Sequence, residues 1–159
     1  MTCKKLKQYL DDRNVKYVSV NHSRAYTAQE IAESAHVSGN DFAKVVMLNA
    51  DEKMIMAVLP APDKVELKLL RQVLGARNVI FADENDFQDH FPGCEVGAMP
   101  PFGNLYGIRV ILAKTLCNSA TISFNSGVHT EIIQMDYDNY IKLVSPEIMD
   151  FTRHITLAA

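Results

Sequence analysis

Three places in the sequence carry residues that local structure alone does not call for. The first is Lys44, within Phe42-Ala43-Lys44-Val45-Val46-Met47-Leu48. Every other residue of that run is apolar, which suits a central strand, and an ammonium there is costly to bury unless it meets an anion. A lysine at the end of the strand could instead snorkel to water. The residues alone leave both readings open. The second place is Gly97-Ala98-Met99-Pro100-Pro101-Phe102-Gly103. Glycine lets the backbone approach a ligand closely, and paired prolines stiffen the loop. Such a loop can hold N–H groups aimed at a developing oxyanion, which stabilises a transition state because no donor has to reorganise during reaction. A rigid connector is the commoner use of a Gly/Pro cluster. The third is Asn125-Ser126-Gly127-Val128-His129-Thr130, a tight turn that sets an imidazole at the start of a strand, where histidine is ordinarily exposed to solvent.

Several other chemistries find no support. No nucleophile-elbow motif is present, and no Cys-His pair is singled out by its spacing. None of the five histidines has His-x-x-x-His spacing, so no metal and no cofactor is expected. Cys3, Cys94 and Cys117 are odd in number and widely spaced, which fits neither a disulfide framework nor a thiolate metal site, and they read as reduced thiols.

The elements that must position these residues follow from periodicity. Leu6, Tyr9 and Leu10 recur at helical spacing, and Val15, Tyr17, Val18 and Val20 make a short strand-like run. Thr27-Ala28-Gln29-Glu30 is a capping box that opens a second helix, with Ile31 and Ala35 facing inward. Phe42 to Leu48 and Met54 to Leu59 flank the polar connector Asn49 to Lys53 and predict an antiparallel hairpin. A helix is expected from Asp63, with Glu66 as capping partner, Leu67, Leu70 and Leu74 on one face, and Gly75 as its stop. Asn78 to Ala82 reads as a strand, Asp83 to His90 as a short acidic helix, and Phe91 to Gly103 as a shaped loop. Strands are expected at Gly107 to Leu112, Thr121 to Asn125 and Thr130 to Met135, and a last helix at Asp136 to Leu143. Helices and strands mix without strict alternation, which predicts an α+β fold with a mixed, mainly antiparallel sheet.

The 159 residues fit one domain over 1–159, and a chain of that length buries roughly 70% of its unfolded surface without metals or crosslinks. The charged N-terminal stretch lacks a secretory core, and no apolar run is long enough to span a bilayer, so a cytoplasmic protein without a membrane partner is expected. A net charge of −3 does not advertise nucleic-acid binding by the molecule as a whole. Any RNA contact would need a local patch, for which Lys4, Lys5, Lys7, Arg13 and Lys16, or Lys64, Lys68, Arg71 and Arg77, are the candidates. A solvated helix face is the plainer account of both sets.

At the three sites the sequence resembles the YbaK/prolyl-tRNA-synthetase-associated family of editing domains, over nearly the whole chain. The resemblance rests on His22-Ser23-Arg24-Ala25-Tyr26-Thr27, on Ala43-Lys44-Val45-Val46, on Gly97-Ala98-Met99-Pro100-Pro101, which fits the family's glycine, any three, proline signature, and on Gly127-Val128-His129. It implies an α+β fold with a partly barrel-like sheet flanked by helices, and an aminoacyl-tRNA deacylase that cuts the ester of mischarged tRNA in trans. It assigns catalysis to Lys44 and Gly97. His22, Tyr26, Thr27, Ala98, Met99, Pro100, Pro101, Phe102, Gly103, Gly127 and His129 become substrate-binding residues. The mechanism it implies has no side-chain nucleophile: the ribose hydroxyl beside the ester assists, and the protein supplies positioning and charge. His129 leans the substrate toward alanine on tRNA(Pro), and the resemblance suggests a monomer working beside prolyl-tRNA synthetase. A non-catalytic tRNA- or synthetase-binding module, or a small-ester hydrolase that does not act on tRNA, are the alternatives. Clustering of the basic residues around the Lys44 cleft would speak against the latter.

Overall fold

The computed structural model describes residues 4–22, 41–118 and 120–154. The capped helix expected from Thr27, and with it Tyr26, lies outside the described residues. Helix α1 (Lys4–Asp12) buries Leu6 and Leu10, one turn apart on the same face. The chain then reverses through Asn14, at φ 54°, into strand β1 (Tyr17–Asn21).

Strands β2 (Ala43–Ala50) and β3 (Lys53–Pro60) form the expected hairpin, with Ala43 opposite Pro60 and Ala50 opposite Lys53. Both strands run further than the apolar residues indicate, leaving a turn of only Asp51 and Glu52, at φ 49° and 71°. Two successive positive φ values are what the right-handed twist of a two-residue hairpin demands. The Asp51 carboxylate fastens this turn by accepting the Arg77 and Asn78 N–H groups at 3.1 and 2.9 Å.

The expected helix start at Asp63 is corrected. Asp63–Val65 is instead a strand, β4, and helix α2 (Leu67–Leu74) begins after Glu66, whose side chain makes no capping bond. A local Asp-x-x-Glu pattern yields here to a pairing made ninety residues away, where β4 meets β10 (Thr152–His154) antiparallel. Gly75 closes α2 as predicted, in the left-handed conformation at φ 65°. Strand β5 (Val79–Phe81) pairs antiparallel with β2, and a short helix α3 (Glu84–Phe87) follows.

Strand β6 (Arg109–Ala113) lies parallel to β3. The chain then leaves this sheet for β7 (Thr121–Asn125), β8 (Glu131–Asp136) and helix α4 (Tyr137–Val144), and returns as β9 (Glu147–Met149), parallel to β6. The result is a five-stranded mixed sheet, β5-β2-β3-β6-β9, and a three-stranded antiparallel sheet, β1-β8-β7. One core lies between the sheets, where Met56, Val58 and Leu112 meet Ile122, Phe124, Ile133 and Tyr140. A second packs Leu70 of α2 and Phe151 over Ala57, Leu59 and Ile111 on the other side of the five-stranded sheet. The sheets touch through a single parallel bridge, Phe42 to Ser123, so they curve toward a barrel without closing one among the described residues.

Candidate active site at the β2–β7 fork

The Phe42–Ser123 bridge, backed by the Ser123 N–H donating to the Asp41 carbonyl at 3.1 Å, is where β2 and β7 part. Beyond it β2 pairs with β3 and β7 with β8, so the two strands form a fork. Lys44 stands on the β2 arm, two residues past the bridge. Its neighbours Ala43 and Val45 belong to the core between the sheets, and alternation turns Lys44 to the opposite face. Burial is the largest influence on its ammonium and holds the pKa below the usual lysine value; Asp63 draws it back up and Lys64 presses it further down. Lys44 is half-buried at the second position of β2, with the Asp63 carboxylate acting on it.

Asp63 is 3% exposed and bound on both oxygens: Oδ1 accepts from His154 Nδ1 at 2.8 Å and Oδ2 from Thr115 Oγ1 at 3.2 Å. A carboxylate so held keeps its position beside Lys44 without a protein cation wholly neutralising it.

On the β7 arm, Ile122 and Phe124 fill the core while Ser123 and Asn125 take the other face. Asn125 is 7% exposed, and its Oδ1 has no hydrogen-bond partner among the described residues. Asn125 stands two residues past the bridge on β7, as Lys44 does on β2, and its amide oxygen is able to accept a hydrogen bond there. Sequence reading placed Asn125 at the end of a strand and the start of a turn and gave it no role; alternating polar residues look solvent-facing until a second sheet covers them.

Past Asn125 the chain turns through Ser126, Gly127 and Val128 to His129, which is buried rather than exposed. The reason is the glycine-proline loop, which closes over it. The Glu95 N–H donates to the Gly127 carbonyl at 2.7 Å, the His129 N–H donates to Glu95 Oε2 at 3.2 Å, and His129 Nε2 lies 2.8 Å from the Val96 carbonyl. A carbonyl can only accept, so Nε2 carries the proton. Gly97, at φ 84°, follows directly and passes 3.5 Å from the His129 ring at its Cβ position. The structure thus brings Gly97, Gly127 and His129 together. His22 adjoins them, donating its N–H to the Thr130 carbonyl at 2.9 Å.

The rest of the loop goes inward. Ala98, Met99, Pro100, Pro101, Phe102 and Gly103 are all buried. Phe102 packs edge-on against Phe124 and Tyr140 at centroid distances of 5.4 and 5.3 Å, and the Pro101 carbonyl accepts the Tyr140 hydroxyl at 2.7 Å. Gly103 admits no side chain, since a Cβ would lie 2.7 Å from the Ile108 carbonyl oxygen. These residues anchor the loop, and its exposed backbone at Val96 and Gly97 is what faces outward. Gly97 N–H is engaged by Met99 Sδ at 3.3 Å, a weak acceptor that a better one can displace.

Glu131, also not singled out by the sequence, pins the turn from behind. It is 6% exposed and accepts hydrogen bonds from Lys7 Nζ, Ser19 Oγ and Ser126 Oγ. Burial works to raise its pKa, but the three donors outweigh it and the carboxyl sits below its ordinary value. Among the described residues no three His, Cys, Asp or Glu side chains converge closely enough to hold a metal ion. No helix of the described residues is long and apolar enough to cross a membrane.

Residues 22–143, which contain the fork, the loop and the His129 turn, match the aminoacyl-tRNA editing domain. The chain belongs to that family. It is an aminoacyl-tRNA editing protein and hence a hydrolase. Relatives of this editing domain include the prolyl-tRNA editing protein ProX of Acetoanaerobium sticklandii, 23% identical over 142 residues that cover 85% of each chain. Another is the multifunctional Ser/Thr-tRNA deacylase ProXp-y of Escherichia coli K12, 22% identical over 158 residues, covering 96% of this chain and 94% of that one. Among solved structures, a proposed trans-editing enzyme for prolyl tRNA synthetase shares the fold of the editing domain with a TM-score of 0.80 at 15% identity, covering 95% of this chain and 96% of that one.

Proposed function

We propose that the β2–β7 fork receives the aminoacylated end of a mischarged tRNA and that Lys44 provides the charge for its hydrolysis in trans. What supports this reading is a half-buried cation on β2 and, on β7, a buried amide oxygen with no hydrogen-bond partner among the described residues, each two residues past the bridge where the strands part. Lys44 interacts with the terminal phosphate or the ester carbonyl of the substrate, where low solvent exposure strengthens its field. Asn125 Oδ1 accepts from a donor of the substrate, for which the α-ammonium of an aminoacyl group has the right chemistry. The Gly97 backbone limits the space around the acyl side chain, with His129 fixing the loop at that point. Water attacks the ester carbonyl, assisted by the neighbouring ribose hydroxyl. The acyl–oxygen bond breaks, and the ribose oxygen leaves with a proton, giving free amino acid and uncharged tRNA. No covalent enzyme intermediate is formed. Both cysteines among the described residues are engaged elsewhere, Cys94 near the Tyr106 hydroxyl at 3.7 Å and Cys117 accepting from the Tyr137 hydroxyl at 3.1 Å.

Alanine on tRNA(Pro) is the substrate we propose, because His129 sits in the turn where the family resemblance leans toward alanine and the ProX relative acts in prolyl-tRNA editing by name. Work as a monomer beside prolyl-tRNA synthetase is part of the same reading. The test is deacylation of tRNA(Pro) charged separately with alanine, cysteine, serine and proline. Lys44→Ala should lower the rate on the preferred substrate by roughly 100-fold or more, the usual effect of removing one transition-state charge contact. Its melting temperature should not fall, because burial already disfavours the ammonium. Full activity in a folded Lys44→Ala protein would refute the assignment.

A further inference from the structure

The two basic groups of the sequence meet different fates. Near the N-terminus, Lys5 donates to the Leu105 carbonyl at 2.6 Å, Lys7 is bound by Glu131, and Arg13 stacks on Tyr9 at 3.7 Å. The second group is unoccupied. Lys64, Lys68, Arg71 and Arg77 are exposed, and none of them forms a side-chain hydrogen bond or ion pair among the described residues. Strand pairing adds Arg153, exposed and directly opposite Lys64 in the β4–β10 ladder, where paired residues share a face.

These five cations form a row. Lys64 is close enough to Lys44 to perturb it electrostatically, so the row begins at the fork. Lys68 and Arg71 are three residues apart on α2 and share its outer face, while Leu70 faces the core. At the far end Arg77 lies beside the Asp51 turn, and Lys68, Arg71 and Arg77 line one shallow groove of about 440 Å³. That turn is at the opposite end of β2 from Lys44, seven residues or about 23 Å away. Asp51 is taken by the N–H groups of Arg77 and Asn78 and Asp63 is buried by His154 and Thr115, so Glu66 and Asp150 are the acidic side chains of these stretches left against five cations. Favourable interaction with the C-terminal end of the helix dipole would account for Arg71, but not for Lys68 near the start of the helix or for Lys64 and Arg153, which lie outside it.

We propose that the face formed by Lys64, Arg153, Lys68, Arg71 and Arg77 binds the phosphate backbone of the tRNA body as it leaves the fork. This rests on the reading of the fork as the site of deacylation. A substrate whose ester lies at Lys44 must carry its RNA away from the cleft, and this row is a net positive path that starts there. A nucleic-acid duplex presents roughly one charge per 1.7 Å of axis, so α2 alone, about 12 Å long, spans several phosphates. The contacts are to backbone and carry no base specificity.

The test is the triple substitution Lys68→Gln, Arg71→Gln, Arg77→Gln, all on exposed positions. Two measurements are made: hydrolysis of full-length mischarged tRNA and of the same amino acid esterified to a CCA trinucleotide, and binding of uncharged tRNA as a function of salt. The expected result is a fall of roughly tenfold or more in kcat/KM on full-length tRNA at low salt, with the trinucleotide ester unaffected. The slope of log binding against log salt should become shallower by about one unit per lost cation. Unchanged kinetics and salt slope on full-length tRNA would overturn the proposal, as would an equal loss on both substrates, which would locate the effect in the fork. If the wild-type protein hydrolysed no mischarged tRNA, the reading of the fork would fail. The salt-dependent binding of uncharged tRNA would still decide the role of the row.

Discussion

Removing the Glu131 carboxylate tests whether the His129 turn is held from behind as the structure describes. Glu131 accepts one charged hydrogen bond, from Lys7 at 2.7 Å, and two from the hydroxyls of Ser19 and Ser126. All three go to an ionised carboxylate, where each contributes up to about 1.5–3 kcal/mol and less where water reaches the donor, as at Lys7, and removing one partner of a buried set leaves the others unsatisfied. Glu131→Ala should therefore cost about 3–5 kcal/mol. In a domain of this size that lowers Tm by roughly 6–20 °C. Glu131→Gln keeps an acceptor for the serines but loses the charge opposite Lys7, and should cost about 1.5–3 kcal/mol. The pH dependence has a fixed sign. The folded carboxyl titrates below the unfolded value of about 4.3, so its stabilisation is fully present above that value and is lost as pH falls through the folded pKa. Thermal melts followed by circular dichroism from pH 7 down to about pH 3 should show the wild-type advantage over Glu131→Gln shrinking as the solution is acidified. A Tm difference that is negligible at pH 7, or that does not change with pH, would refute the account of this cluster.

Two further substitutions separate strain from packing. Gly97→Ala meets only ordinary contacts but must hold φ 84°, at a cost of about 1–2 kcal/mol, whereas Gly103→Ala drives a Cβ to 2.7 Å from a carbonyl oxygen and should be the more destabilising by chemical denaturation. Gly97→Ala should also depress deacylation beyond its effect on stability, measured well below Tm. Glu52→Gly relieves a non-glycine residue at φ 71° in the hairpin turn and should raise stability by roughly 0.5–1 kcal/mol in urea titration, without changing activity.

The hairpin, the α2 stop at Gly75 and the succession from β6 to α4 were legible in the sequence because each depends on residues close in the chain. Asp63 was misread for the complementary reason. Its Asp-x-x-Glu spacing is a sound local helix signal, but the strand that claims Asp63 comes from the last segment of the chain. Lys44 showed as an anomaly from composition alone, since a charge in an apolar strand is conspicuous wherever it points. The His129 turn stood out too, but its burial did not, because what covers it is a loop more than thirty residues upstream, and no turn pattern reports on so distant a contact. The same holds for the basic residues. Sequence proximity grouped them into two sets of like standing, and only the contacts of Lys5, Lys7 and Arg13 show that much of the first is already occupied.

The fork has a consequence for how such a protein can change over time. Its mouth is set by main-chain bonding at Phe42, Ser123 and Asp41, so the spacing of the two arms does not depend on which side chains line them. Residues on the inner edges are then free to be exchanged without disturbing the frame. A scaffold of this kind can change its lining while its architecture stands still, and relatives that each share little more than a fifth of their residues with this chain are what that permits.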